Sequence, residues 1–213
     1  MTSKRGIITV ISGFSGAGKG TLVKELLAQN PGQYWVSVSA TSRKPRPGER
    51  EGIEYFYKSV EEFENMIQND EFFEHAKYVD NYYGTPKGPV LEKIESGIDV
   101  ILEIELQGAL NVKKQIPDAL LLFVVTPDCD TLFNRLKGRD SESDEVIAAR
   151  MNRAVEEVCG IDNYDYMVVN DDINSAARRV HYMIQNEKYK ISANAEFINR
   201  FKDDLEKYKK GDK

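Results

Sequence analysis

Cysteine and histidine are scarce in this sequence. Two cysteines in 213 residues, Cys129 and Cys159, cannot make a dense disulfide framework, so free thiols in a reducing compartment are expected. They show no metal-ligand spacing. The only histidines, His75 and His181, are far apart in sequence and read as structural, so no Ser/His or Cys/His nucleophile is expected. No window approaches 18 uninterrupted apolar residues, which excludes a membrane-spanning helix. Met1 to Arg5 runs straight into a short apolar strand without the longer apolar run and cleavage site of a signal peptide, so a cytoplasmic protein is the default. Positive charge is not in excess either. Lys plus Arg is 29 and Asp plus Glu is 35, a formal net charge of −6, which argues against a nucleic-acid polymer as partner. A small anionic ligand sees only local charge and is not excluded.

What is present suits a globular chain: 41% hydrophobic and 30% charged residues. At about 150 residues per domain, the length predicts one domain, or one with insertions. Gly6–Ser12, Trp35–Ser39, Ile98–Ile104, Leu120–Val125 and Tyr166–Val169 read as strands. Helices are expected over Thr21–Gln29, Val60–Asn69 and Pro89–Ser96, over 128–160 with a polar break at Gly138–Asp144, and from Ile173 onward. Tyr55–Tyr57 looks extended, and the aromatic-rich Phe72–Tyr83 is expected to hold short strands. Apolar strands alternating with helices imply an α/β fold with a parallel sheet covered on both faces. Ligands of such sheets bind at the carboxyl ends of the strands.

Gly13-Phe14-Ser15-Gly16-Ala17-Gly18-Lys19-Gly20-Thr21 lies at that edge, between a strand and a helix, and is close to the phosphate-loop pattern G-x-x-x-x-G-K-[ST]. The glycines let backbone N–H groups turn toward a polyphosphate, the helix N-terminus adds its dipole, and Lys19 supplies a point charge. Gly20 stands where Ser or Thr is usual, which removes a hydroxyl ligand for magnesium at that position. Thr21 can act instead, or Mg2+ can be held through waters and phosphate oxygens. A phosphate loop alone fits GTPase switches, motor ATPases and small-molecule kinases. No Asn-Lys-x-Asp motif for a GTPase switch is recognisable. The segment Ser37-Val38-Ser39-Ala40-Thr41-Ser42-Arg43-Lys44-Pro45-Arg46-Pro47-Gly48-Glu49 places two arginines in a proline-stiffened loop, a candidate second phosphate site.

With this loop, Gly52-Ile53-Glu54-Tyr55-Phe56, Glu74-His75-Ala76, Asn81-Tyr82-Tyr83-Gly84-Thr85, Glu103-Ile104-Glu105-Leu106-Gln107-Gly108, Arg135-Leu136-Lys137-Gly138-Arg139 and Val169-Asn170-Asp171-Asp172, the sequence resembles the guanylate kinases over about residues 6–187. The resemblance implies one domain (about 5–187) with a parallel-sheet phosphate-loop kinase core (1–34, 89–127 and 161–190), a mixed α/β GMP-binding insertion (35–88) and a helical lid (128–160); residues 191–213 form a helical extension. It further implies that Arg43, Arg46, Tyr55 and Tyr83 hold the GMP phosphate and that Ser39, Glu74 and Thr85 read guanine. Guanine offers N1–H and the 2-amino group as adjacent donors, which a carboxylate can accept together; adenine has no such pair. Arg135, Arg139 and Arg150 match lid arginines over the ATP phosphates, and Asn170 matches a residue near adenine. Glu103 and Glu105 are expected on one strand face beside the phosphate loop; the resemblance implies that they belong to the GMP-binding set, with contacts to guanine or magnesium, and the family more often has Asp at both places.

The implied reaction is ATP + GMP ⇌ ADP + GDP, with dGMP also a substrate, Mg2+ as cofactor and a place in purine nucleotide recycling. Lys19, Arg43, Arg46, Arg135, Arg139 and Arg150 are expected to converge on one cleft. The alternatives are a kinase for another nucleoside monophosphate and a non-catalytic guanylate-kinase-like binding module. In the tail, Ile191, Ala195, Ile198, Phe201, Leu205 and Tyr208 form one apolar stripe that can pack on its own core or on a second subunit, a homodimer.

Overall fold

A computed structural model describes residues 5–138 and 144–209. β1 (Ile8–Gly13) leads into α1 (Lys19–Gln29), and β2 (Tyr34–Val36), β3 (Ala40–Thr41) and β4 (Phe56–Tyr57) follow. Next come α2 (Val60–Gln68), β5 (Phe72–Tyr78), β6 (Asn81–Pro86), α3 (Lys87–Glu95), β7 (Asp99–Glu103) and α4 (Leu106–Gln115). β8 (Leu120–Val125), α5 (Cys129–Lys137), α6 (Asp144–Val158), β9 (Tyr166–Val169), α7 (Ile173–Glu187) and α8 (Ala195–Lys209) complete the described residues, with short 3₁₀ turns at Ile161–Asn163 and Ser192–Asn194.

Five strands form a parallel sheet in the order β2-β7-β1-β8-β9. Alternate residues point to opposite faces, and both faces are covered. Ile11, Leu120, Leu122 and Val124 meet Leu22 and Leu26 of α1 and Val180 and Ile184 of α7. Val10, Leu102 and Leu121 meet Val90 and Ile94 of α3 and Ala109 and Val112 of α4 on the other face. This double burial explains why the strands read as continuous apolar runs. A second sheet, β4-β3-β6-β5, has its own small core of Ala40, Phe63 and Phe72. α2 packs on it through Phe63, which stacks on Phe72 and Tyr82, and starts with a capping box between Ser59 and Glu62.

Three sequence expectations are corrected. Trp35 and Val36, placed with the insertion, belong to the core sheet, where β2 pairs with β7. No helix was expected between Ile104 and Leu120, yet α4 lies there; Gly108 in its interior weakens the helical signal. Finally, Glu103 and Glu105 do not share a strand face. β7 ends at Glu103, and the Glu105 carbonyl already accepts the Ala109 N–H (2.9 Å), which makes Glu105 the first turn-forming residue of α4.

The amino-terminal edge of the large sheet is closed by buried Asp99. Its carboxylate accepts from the Ile7 backbone N–H (3.0 Å), Gln185 Nε2 (3.2 Å) and Lys188 Nζ (2.7 Å). The hairpin β5–β6 turns at Val79 with a φ of 55°, the left-handed region that a β-branched side chain disfavours. Val79 is 74% exposed, so its side chain contributes little burial in return. Val79→Gly is expected to stabilise the fold by about 1 kcal/mol. Urea unfolding with an unchanged m-value checks this; a loss of stability would contradict it.

Candidate active site

The phosphate loop is shaped by three glycines with positive φ: Gly13 (145°), Gly16 (91°) and Gly18 (88°). At Gly13 the chain passes so close to β8 that a Cβ would lie 2.1 Å from the Val124 carbonyl oxygen, so no side chain fits. Gly18 caps α1, and its first N–H groups open onto the loop. Lys19, the first residue of α1, arches back: Nζ donates to the carbonyls of Gly13 (2.6 Å) and Phe14 (3.1 Å). Phe14 sets its ring against Phe123 at 5.1 Å, while Ala17 is buried.

Two elements distant in sequence hold the loop. Asn170, just after β9 and 4% exposed, donates through Nδ2 to the Ala17 carbonyl (2.8 Å). Arg135 of α5 donates to that same carbonyl (3.3 Å) and to the Asn170 carbonyl (3.0 Å). From α6, Arg150 reaches the Ser15 hydroxyl (3.1 Å). A cleft of about 790 Å³ opens beside the loop, lined by Gly13, Ser15 and Lys19, by Glu103 and Glu105, and by Arg150 and Arg153 of α6. Glu103 faces this cleft. Partial desolvation by the walls raises its pKa, with Lys19 and then Lys24 acting in the opposite sense. Its Oε2 would lie 3.9 Å from a Cβ at position 20, which puts the carboxylate beside the start of α1. Glu105 pairs instead with Arg153.

The insertion builds two further groupings. In the first, the Arg43 guanidinium lies 5.4 Å from the centre of the Tyr55 ring, and Tyr55 and Tyr83 meet edge-on at 6.0 Å. Glu49 organises this loop. It accepts from Arg43 Nη2 (2.9 Å), the Arg46 backbone N–H (2.7 Å) and the Tyr57 hydroxyl (2.9 Å). These donors, Arg43 foremost, lower its pKa to about 2. Burial and the Glu49 carboxylate push the Tyr57 hydroxyl up to about 12. In the second grouping, the Thr85 hydroxyl donates to Glu74 Oε1 (2.6 Å). Burial raises the Glu74 pKa. A Cβ at Gly108 of α4 would stand 3.3 Å from Glu74 Oε2, so the missing side chain lets the carboxylate sit against the helix.

The expected convergence on one cleft is thus partial. Lys19 and Arg150 line it together, and Arg135 stands behind the loop. Arg43, Arg46, Tyr55 and Tyr83 do not line it. Arg46 is exposed, Ser39 is half-buried and its backbone carbonyl accepts from the Phe56 N–H, and Gly20 and Thr21 are exposed on the first turn of α1. Arg139 lies outside the described residues. Sequence reasoning missed Glu49, Gly108 and Arg153. Arg153 sits three residues after Arg150 on one helix, a spacing that puts both on the same face.

Glu49 gives a pH prediction. A carboxylate depressed from 4.5 to about 2 contributes stability that is complete above its unfolded pKa and is lost as pH falls from about 4.5 toward 2. A carbon-detected NMR titration should therefore find the Glu49 midpoint near 2; a midpoint at an ordinary glutamate value would break the Arg43–Glu49 assignment.

Residues 5–187 match the family model described as guanylate kinase. The chain is 49% identical over 189 residues to a guanylate kinase of Streptococcus thermophilus (strain CNRZ 1066), covering 89% of this chain and 90% of that protein. It is 45% identical over 206 residues to a guanylate kinase of Clostridioides difficile (strain 630), covering 96% and 100%. A crystal structure of guanylate kinase from Anaplasma phagocytophilum superposes with a TM-score of 0.67 at 30% identity, covering 89% of this chain and 90% of that one.

Proposed function

This chain belongs to the guanylate kinase family and is a phosphotransferase that uses ATP to convert GMP to GDP; from that premise we propose which of its side chains carry each part of the reaction. The single observation that carries the assignment is the Glu74–Thr85 pair, a desolvated carboxylate held by a hydroxyl in the insertion of a chain with a complete phosphate loop.

In this reading residues 13–21 cradle the ATP phosphates with backbone N–H groups, and Lys19 places its ammonium where charge gathers in transfer. Arg135 and Arg150 already touch the loop, through Ala17 and Ser15, and are placed to meet the γ-phosphoryl; Arg139 belongs to the same set by its match to the family motif. Asn170 sits on the adenine side. Arg43, Arg46, Tyr55 and Tyr83 bind the GMP phosphate. Arg43 keeps Glu49 as partner until a phosphate oxygen competes for the guanidinium. Glu74 accepts guanine N1–H and the 2-amino group, while Ser39 and Thr85 address the remaining polar edge. Both GMP and dGMP present this edge, so both are substrates.

The reaction brings two anions together, and their repulsion is the main obstacle. The GMP phosphate is already ionised and needs no general base. The residues beside the loop fit a hard cation: Glu103 offers carboxylate oxygens near Lys19, and the Thr21 hydroxyl is exposed on the same turn, whereas Gly20 offers none. Glu103 and Thr21 would hold Mg2+, which would supply charge neutralisation to the transferring phosphates. Glu105, paired with Arg153, ties the start of α4 to the lid. Closing the lid over the cleft excludes water and so suppresses hydrolysis of ATP. ATP and GMP are cytoplasmic metabolites, and we assign the enzyme to that compartment.

A panel of nucleoside monophosphates in a coupled ADP-release assay tests the assignment. GMP and dGMP should be phosphorylated, with AMP at least about 10³-fold poorer in kcat/KM. Glu74→Ala should lower kcat/KM for GMP by about 10²-fold or more and leave ATP affinity unchanged. AMP used as well as GMP would sink the guanine reading. Because burial raises the Glu74 pKa and binding needs the carboxylate ionised, kcat/KM for GMP should fall at acidic pH, at values above an ordinary glutamate pKa. Gly108→Ala should raise KM for GMP several-fold with little change in KM for ATP, because the new methyl pushes on the Glu74 carboxylate; an equal effect on both substrates would refute the contact.

A further inference from the structure

α6 reaches toward both substrate sites. Arg150 donates to the Ser15 hydroxyl of the phosphate loop (3.1 Å). Arg153, three residues later and so on the same helix face, donates through Nη2 to Glu105 Oε2 (2.5 Å). Glu157, one turn further along, accepts from Arg153 Nε (3.0 Å) and so holds the guanidinium from its own helix. Glu105 occupies the N-cap of α4, where an acidic side chain ordinarily accepts from the first backbone N–H groups of its own helix. Here it makes no such bond. Its carboxylate is therefore placed by α6 rather than by α4.

The neighbour of Glu105 gives this pairing its meaning. Gly108 lies one turn along α4, and Glu74 rests against it: a Cβ there would meet Glu74 Cγ at 3.2 Å and Oε2 at 3.3 Å. Glu105 also lines the cleft beside the phosphate loop. A second carboxylate thus stands near the one assigned to guanine. Burial foremost, and then the Glu105 charge, work against an ionised Glu74, while Thr85 and His75 favour it. Unpaired, Glu105 would repel Glu74; paired with Arg153, its charge is offset.

The Arg153–Glu105 pair is exposed, at 48% and 75% of the two side chains, so by itself it holds only weakly. Its occupancy depends on how firmly α6 is held. A phosphate at the loop offers Arg150 a charged acceptor in place of a neutral hydroxyl, and charge-assisted hydrogen bonds are the stronger kind. With α6 held in this way, Arg153 fixes Glu105 before guanine arrives.

We propose that Arg153 is a positioning residue that couples the two substrate sites: acting through Glu105, it makes a nucleoside triphosphate at the phosphate loop tighten the binding of GMP. The inference rests on the guanine reading of Glu74 given above. Such coupling is reciprocal, so GMP tightens the triphosphate by the same factor. Arg153 needs no contact with the transferred phosphoryl group, so its loss spares the chemical step.

Isothermal titration of GMP into the full chain, with and without saturating β,γ-imido ATP and Mg2+, tests the coupling. The wild type should bind GMP about threefold more tightly when the analogue is present. Arg153→Met should bring this ratio to about one and leave the analogue's own Kd unchanged, which checks that the loop and Arg150 are intact. In turnover at saturating ATP, the same variant should raise KM for GMP about threefold with little change in kcat. Arg153→Lys can still pair with Glu105 and should keep the coupling. The proposal falls if the wild-type ratio is one, if Arg153→Met keeps the wild-type ratio, or if Arg153→Lys is as uncoupled as Arg153→Met. In each of these cases GMP phosphorylation and its loss in Glu74→Ala still stand, so the guanine reading survives. GMP bound as tightly by Glu74→Ala as by the wild type would overturn that reading, and the coupling with it.

Discussion

The Ala17 carbonyl is the point on which the site depends. It lies inside the phosphate loop, on a buried residue, and accepts from both Asn170 and Arg135. One donor follows the last core strand; the other belongs to the first helix after β8. Arg135 also donates to the Asn170 carbonyl, so three segments from three regions of the chain close into one small network. A glycine-rich loop is cheap to bend and costly to order, since glycine loses more backbone freedom than any other residue. Fastening its middle from two sides fixes the orientation of N–H groups that must meet phosphate oxygens. Gly18 belongs to the same arrangement, because a Cβ there would lie 2.6 Å from Asn170 Nδ2.

Charge is distributed by a similar logic. The chain carries a net −6, yet the groups around the site are chiefly cations with assigned partners. Lys19 is held by two backbone carbonyls, Arg43 by Glu49, and Arg153 by Glu105. Glu49 is the most economical of these devices. One carboxylate orients a guanidinium, a backbone N–H and a phenol, and so sets a loop that has little apolar surface of its own. Glu74 shows the opposite case. It is brought into a desolvated position by the close approach that Gly108 permits, and its charge is more costly to maintain until a ligand supplies donors.

Much of this was legible in the residues. The parallel sheet was readable because strands buried on both faces are apolar along nearly their whole length, as Leu120–Val125 is and as Ile7–Ile11 is apart from Thr9. The phosphate loop was readable because its function needs glycines and a lysine at fixed spacing. Other features depend on chain geometry that no local pattern encodes. α4 was hidden by Gly108, whose value is tertiary and whose local effect opposes a helix. Glu105 follows Glu103 by two residues, which suggests a shared strand face, but the chain turns into α4 between them. The Arg43–Glu49 pair spans six residues of irregular loop, so nothing short of the folded path brings the two side chains together. β2 was misplaced because three residues before a polar loop carry too little pattern to show which sheet they join.

The buried carboxylate of Asp99 has a topological consequence. It gathers the Ile7 backbone from the start of the first strand and Gln185 and Lys188 from the end of α7 onto one side chain. The catalytic domain is therefore almost a closed ring, with its beginning and end clasped at the edge of the sheet opposite the cleft. Joining those ends by a short linker would demand little extra ordering, since loop-closure entropy grows only with the logarithm of loop length. New ends could then be opened at an exposed turn such as the tip of the β5–β6 hairpin. Pulling on the native ends, by contrast, would load the Asp99 clasp before any strand of the sheet.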